Sequence, residues 1–500
     1  MKTIKMLSIT ALALIMAACS TDFIPENQQM DNKPIAITAT LAPKSPITKA
    51  IADKGDNSIT ASWAVDEHVA ILYKVKGERA MADARVSAVD GSGKATIVFT
   101  VEAGTTDGTS CTLVYPLTAV KADKSGVNSF ANLLSAQNGA LDANMDVRVG
   151  EATINTTTPS LTVTTQPAPQ FAIFKFTFAF NPLVLTINSG GAVVTAVSPT
   201  SPTGNLYVAV PPAASGTTYE FIAYSNTSKY VRSISSNKAI ESGVFYQTPI
   251  TTWDSTTALV DTDLSSITED TVIGDDSRVH GSIDAMVKVS IESGATVVLD
   301  NVTLSGSNSN SYKWAGLTCE GDATLVLSGT NNVKGFFEEY PGIIVAKGKT
   351  LTIKGDGTLY ASSNGWGAGI GAGYGMDADS KYCGTIVIEG GDITAVGGKY
   401  SAGIGGGSAS KCDGIIIANS VKKVTATMGP GGVNAIGAGA TGSADCGTIT
   451  FGGVTMSEYP GYPEGSWIET PTSGRTYGGL TLTISTTTNT NDTWTLTPVM

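Results

Sequence analysis

From residue 297 onward, short apolar runs return at a steady beat. Val297-Val298-Leu299, Leu325-Val326-Leu327, Leu351-Thr352-Ile353, Ile386-Val387-Ile388, Ile415-Ile416-Ile417 and Ile449-Thr450-Phe451 begin 28, 26, 35, 29 and 34 residues apart. A second beat runs through Gly316-Leu317, Gly342-Ile343-Ile344, Gly369-Ile370, Gly403-Ile404 and Ala435-Ile436. The strands are too short and too close for helical crossovers, which usually need a dozen or more residues. Six coils of short strands separated by glycine turns predict a parallel β-helix. Its densest part is a Gly-Ile-Gly refrain at Gly369-Ile370-Gly371, Gly403-Ile404-Gly405 and, with Ala for the first Gly, Ala435-Ile436-Gly437. These glycines read as corners, where positive φ or close backbone approach is needed. A single coil cannot bury its own apolar face, so the repeats need one another.

The first half of the chain alternates with period two. Ile35, Ile37 and Ala39 fall on one face and Thr38 and Thr40 on the other. Between Ile59 and Tyr73, two strand-like pieces flank an acidic turn at Asp66-Glu67, and further strands are expected at Ala95–Val101 and Cys111–Tyr115, where Pro116 stops the run. Alternation with Pro-stopped edges predicts antiparallel sandwiches. The Asp/Ser/Thr-rich stretch 253–277 has little periodicity and reads as a linker. The tail alternates again at Leu480–Ile484 and Trp494–Thr497, and is expected to cover one end of the repeats. The expected fold class is all-β: sandwiches over 35–160 and 165–252, the linker 253–277, a β-helix over 278–455 and a β cap over 456–500.

Composition supports this division. A chain of 500 residues exceeds one compact core. Only 15% of residues are charged and 56 are glycine, which suits strands and turns rather than helices. The net charge of −12 excludes the basic footprint that non-specific nucleic-acid binding requires. At the N-terminus, Lys2 and Lys5 precede an apolar run from Met6 to Met16, and Ala17-Ala18 lead into Cys19. This pattern resembles a bacterial lipobox: 1–18 a signal peptide, Cys19 the lipidated first residue, and 19–34 a polar tether. Ordinary signal cleavage, with Cys19 incidental, is the alternative.

Catalytic chemistry finds little footing. The chain has two histidines, His68 and His280, and neither GxSxG nor HExxH occurs. Gly348-Lys349-Thr350 looks like the end of a phosphate-binding loop, but the required earlier glycine is Ile343. Glu320, Glu338, Glu339, Asp377 and Asp379 form no evident catalytic pair, and Asp377-Ala378-Asp379 is too sparse for a dedicated calcium loop. No catalytic residue, cofactor or metal is expected, and the chain is expected not to be an enzyme. Cys383, Cys412 and Cys446 recur once per coil ahead of a strand and read as an internal ladder of small apolar side chains. With Cys111 and Cys319 they make an odd set, so at least one is free.

Aromatics mark the same phase of four successive coils. Trp314 and Tyr340 lie three residues before Leu317 and Ile343, and Trp366 and Tyr400 lie four before Ile370 and Ile404. Coils stacked about 4.8 Å apart would bring these rings into one stripe. Such a stripe can stack on pyranose rings, or it can be a ladder of rings stacked on one another. Both readings stand at this point.

Two resemblances follow from short motifs along the chain. Thr48-Lys49-Ala50, Trp63 with Asp66-Glu67, Leu206-Tyr207-Val208-Ala209-Val210-Pro211-Pro212 and Glu241-Ser242-Gly243-Val244-Phe245-Tyr246 occur in order. Over residues 35 to 252 the chain resembles the fimbrillin-like proteins of Bacteroidetes. That resemblance implies two β-sandwich modules on an outer-membrane lipoprotein with an adhesive role. In fimbrial members a protease clips the first strand so that subunits exchange strands, and the usual Arg is Lys49 here. From Tyr312 to Gly453, the Ala-Gly-Ile-Gly refrain and the Cys-Gly-Thr-Ile strands resemble a carbohydrate-binding β-helix module of gut bacteria, which implies a sugar ligand. The expected function is a lipid-anchored, non-catalytic surface adhesion protein. It would bind a glycan, or another host or bacterial surface ligand, through Trp314, Tyr340, Trp366 and Tyr400. The alternatives are a pilus subunit or tip component assembling by strand exchange, and a β-helix polysaccharide lyase or glycoside hydrolase.

Overall fold

The computed structural model describes residues 33–44, 47–48, 58–59, 61–121, 123–141, 143–283, 286–374, 381–440, 445–459, 466–467, 471–486 and 491–499. Cys19, Lys49, Asp377 and Asp379 lie outside them. The chain is all-β, and the α-helix found among the described residues is Phe130–Leu134, whose first turn is capped by the Ser129 side chain.

The first unit is one seven-stranded antiparallel sheet. Its order is Ile35–Leu41, Ala95–Val101, Glu78–Val89, His68–Val75, Thr109–Tyr115, Arg148–Asn155 and Ser160–Pro169. The two edge strands meet again, and Ala42 N donates to Gln166 Oε1 across the seam. The unit is therefore a single sheet rolled on itself, where two stacked sheets were expected. Alternate residues of each strand, such as Ile37, Ile71, Ile97 and Leu113, point inward and are fully buried. Ser160–Pro169 runs across the expected boundary between modules, so the division falls near residue 170.

The second unit faces a three-stranded sheet (Asn205–Val210, Ala172–Phe178, Phe245–Ile250) with a six-stranded one. Phe176, Leu185, Val208 and Phe221 pack between them. The six-stranded sheet takes Ala136–Gln137 as one edge and Ser255–Ala258 as the other. The stretch 253–277 is thus no linker. Ser255–Ala258 completes the second unit, Val260–Asp263 opens the next one, and Thr271–Ile273 pairs within it. Its Thr- and Ser-rich strands pair through their backbones without the apolar alternation that would have announced them.

The remaining chain winds through three parallel ladders. One carries the inward column Val297, Leu325, Ile353, Ile388, Ile417, Phe451. The second carries Leu304, Val333, Ala361, Ala395 and Ala426, and the tail strand Asp492–Pro498 pairs antiparallel with its last member. The third carries Leu317, Ile343, Ile370, Ile404 and Ile436. These columns are buried and meet in one continuous core. Sequence alignment places Leu351 beside Leu325, whereas the observed register places Ile353 there. The slip is two residues, so it leaves the same face inward and is invisible to a period-two pattern. The parallel pairing begins at Val260, ahead of the expected start at 278.

The second unit packs against the stack through Leu183, Val184 and Tyr224, which meet Leu259, Val298 and Val326. Asp276 pins this contact: it accepts from Tyr224 Oη at 2.7 Å and Lys229 Nζ at 2.9 Å.

Candidate functional site

The loops that enter the third ladder leave the stack at one edge and carry Trp314, Tyr340, Trp366 and Tyr400. All four side chains are half-buried. Trp366 and Tyr400 are brought into ring contact, with centroids 5.8 Å apart and planes tilted by 47°. Tyr374 lies on the other flank of Trp366 at 5.1 Å. Trp314 instead contacts Tyr312 at 5.4 Å and Phe336 at 5.7 Å, leans on the core, and leaves its buried indole Nε1 without a hydrogen-bond partner. Tyr340 occupies the intervening turn, where its carbonyl accepts from Ser363 Oγ at 2.9 Å.

Backbone bonds fix the Trp366 group. Trp366 N donates to Glu338 O on the preceding turn, and Trp366 O accepts from Ser401 Oγ and Ser408 N on the following one. Tyr374 N donates to Glu339 O at 2.7 Å. Tyr400 sits in the left-handed region at φ 61°, which costs a residue with a Cβ of order 1–3 kcal/mol. Its N–H donates to Pro430 O, and its ring lies so close to Gly431 that a Cβ there would come 2.4 Å from Cε1. The strain is offset by this seat on the next turn. Exposed Lys399 holds its ammonium 5.1 Å from the Trp366 ring and 5.0 Å from the Tyr400 ring, within cation–π range. The result is three rings and a cation beside half-buried Glu338 and Glu339. Tyr374 and Lys399 were missed by phase-matching. Tyr374 follows the ladder strand rather than preceding it, and Lys399 is signalled only by standing next to Tyr400.

The cysteines stack as Cys383, Cys412, Cys446 in direct register. Cys412 and Cys446 form a disulfide, while Cys111, Cys319 and Cys383 are free and buried. Burial pushes each of the three thiols up to about 12. The histidines pair with surface carboxylates: His68 Nδ1 lies 2.6 Å from Asp83 and His280 Nε2 lies 3.3 Å from Asp261. Glu320 is exposed on the stack.

No protein-family model matches the chain, and no curated protein matches it. Among solved structures it is similar to a "putative cell adhesion protein" of Bacteroides uniformis at 12% identity, covering 46% of this chain and 98% of that one, with a TM-score of 0.28. It is similar to a fimbrial assembly protein of Parabacteroides distasonis at 14% identity, covering 45% and 99%, with a TM-score of 0.28. A protein of Bacteroides ovatus with the same description as the first matches at 14% identity, covering 45% and 96%, with a TM-score of 0.27. Among the described residues, no helix is long and apolar enough to cross a membrane.

Proposed function

We propose that the chain is a non-catalytic adhesion protein of the bacterial surface, held at the outer membrane by lipid on Cys19. In this reading its first two units are fimbrillin-like modules, and the stack is a parallel β-helix that presents a glycan-binding edge. The observation that carries the binding role is the Trp366–Tyr400 pair, flanked by Tyr374 and Lys399 and half-exposed on adjacent turns. Flat, partly apolar ring faces suit the apolar faces of pyranoses, and Lys399 adds a donor and a positive charge that would favour acidic sugars. Tyr340 extends the edge by one turn. Trp314, seated on the core, contributes more to packing than to contact.

The test is a glycan array probed with the full chain and with Trp366→Ala and Tyr400→Ala. Loss of about 1.4 kcal/mol of stacking lowers affinity roughly tenfold. Unchanged binding in both variants, or no binding by the parent chain, rejects the edge as a site.

One observation favours a second reading, a pilus subunit that exchanges strands. Among the described residues Ile35–Leu41 is an edge strand whose ladder partner is Ala95–Val101, and it precedes Lys49 in the chain. A mature N-terminus just after Lys49 on protein from the native cell would favour it.

A further inference from the structure

A buried charge cluster sits at the seam of the rolled sheet. Lys44 follows the first edge strand, and Asp146 and Arg148 stand at the start of Arg148–Asn155, beside the other edge. Rolling the sheet brings Lys44 Nζ 3.7 Å from Asp146 Oδ2 and 3.0 Å from Glu67 Oε1. The Lys44 side chain is only 3% exposed, and Arg148 is fully buried. Aromatic rings roof the amine: Tyr115 at 3.7 Å and Trp63 at 4.5 Å, themselves packed edge to face. Glu67 accepts from Tyr115 Oη at 2.6 Å and from Ala64 N at 2.9 Å, so its carboxylate is held in place. Arg148 Nε donates to Asp146 Oδ1 at 2.7 Å, which leaves Oδ2 as the oxygen facing the amine.

We propose that Lys44 and Asp146 join in an intramolecular amide, with Glu67 as the proton carrier and Arg148 as the carbonyl-polarising group. One proton passes from the Lys44 ammonium to the Asp146 carboxylate, giving a neutral amine and a carboxylic acid. Nζ attacks Cγ and the C–N bond forms, while negative charge grows on Oδ1 under the Arg148 guanidinium. Glu67 takes a proton from Nζ and returns it to Oδ2, the C–O bond breaks, and water leaves. Glu67 ends as it began, and no oxidant, reductant or other reactant is consumed.

The pocket favours this reaction for two reasons. In water an ammonium and a carboxylate are stabilised by solvation, and that term is what keeps them apart. Here most of that solvation is already lost, with the Lys44 side chain 3% and the Asp146 side chain 13% exposed, and one neutral amide replaces two largely desolvated charges. The fold also holds the partners in contact, so the encounter costs no further entropy. Burial keeps Lys44 below the ordinary lysine range and Asp146 above the ordinary carboxylate range, which raises the share of the reactive neutral pair. The bond would staple the seam where the sheet closes. It also bears on strand exchange. Lys44 lies before Lys49, so a cut at Lys49 would leave the first strand tethered to Asp146.

The test is tandem mass spectrometry of a digest of the full chain, with Lys44→Arg, Asp146→Ala and Glu67→Gln in parallel. The expected result is a branched pair of peptides carrying Lys44 and Asp146, lighter by one water than their sum, and faster migration of the denatured parent chain than of Lys44→Arg. The branched species should be absent from Lys44→Arg and Asp146→Ala. A parent chain that yields only separate peptides overturns the proposal, whatever the variants do, and so does a branched pair joined elsewhere. A branched Glu67→Gln chain, formed as completely as in the parent, removes Glu67 from the step. None of these outcomes touches the glycan edge, which is read on a separate array.

Discussion

Replacing Gly371 with Ala should break the stack locally, and the cost can be worked from its neighbours. Gly371, Gly405 and Gly437 are in register on successive turns, at φ of 140°, 123° and 129°. A Cβ at 371 would lie 1.9 Å from Gly405 O. That same oxygen accepts the coil-to-coil bond from Ala372 N at 2.8 Å. To restore ordinary contact at 3.4 Å the carbonyl must retreat by about 1.5 Å, which takes the bond well past hydrogen-bonding distance. Leaving a buried amide and carbonyl unpaired costs about 1–3 kcal/mol for each group. Positive φ in a residue with a Cβ adds about 1–3 kcal/mol. The lower end of the sum, about 3 kcal/mol, lowers local protection more than a hundredfold at tenfold per 1.4 kcal/mol. Hydrogen exchange read on peptides spanning Ile370–Ala372 and Ile404–Gly406 measures it. Gly216→Ala is the control, since Gly216 has φ 88° but nothing within 4 Å of an added Cβ. If Gly371→Ala costs no more than Gly216→Ala, close approach of the turns is not what the refrain provides.

Two further expectations concern the cysteines. The Cys412–Cys446 bond closes a separation of 34 residues, so Cys446→Ser should destabilise the chain by about 3.5–4 kcal/mol on the loop-entropy estimate, seen as a lower Tm without reductant that reductant does not lower further. The thiols of Cys111, Cys319 and Cys383 should resist iodoacetamide in the folded chain near neutral pH and react on unfolding. Burial raises them from 9.0 to about 12, so the folded state keeps protons that the unfolded state gives up. That contribution to stability is complete below pH 9.0 and is lost as pH rises toward about 12. Denaturant midpoints across this window should fall less steeply for Cys383→Ala than for the parent.

Much of the architecture was legible because strand periodicity is local. Ile35, Ile37 and Ala39 announce an inward face within five residues, and Ala95–Val101 forms where its alternation predicts. The beat of Leu317, Ile343, Ile370, Ile404 and Ile436 is the third ladder itself. The second ladder was harder to see, because its inward column ends in Ala361, Ala395 and Ala426, whose small side chains give a weak apolar signal. Register, closure and pairing were beyond local pattern. A two-residue slip at Ile353 keeps every side chain on its face, so only the stacked turns choose it. Which two of three aligned cysteines bond is likewise chosen by the stack. The aromatic phase found Trp366 and Tyr400 but not their division from Trp314, because ring contact depends on loop path and not on spacing. Lys44, Glu67, Asp146 and Arg148 are separated by much of the first unit. Alternation predicts the strands around Lys44 and Glu67 but not the one that begins at Arg148, and only the rolling of the sheet brings the four charges together, mostly out of water, with two rings over the Lys44 amine.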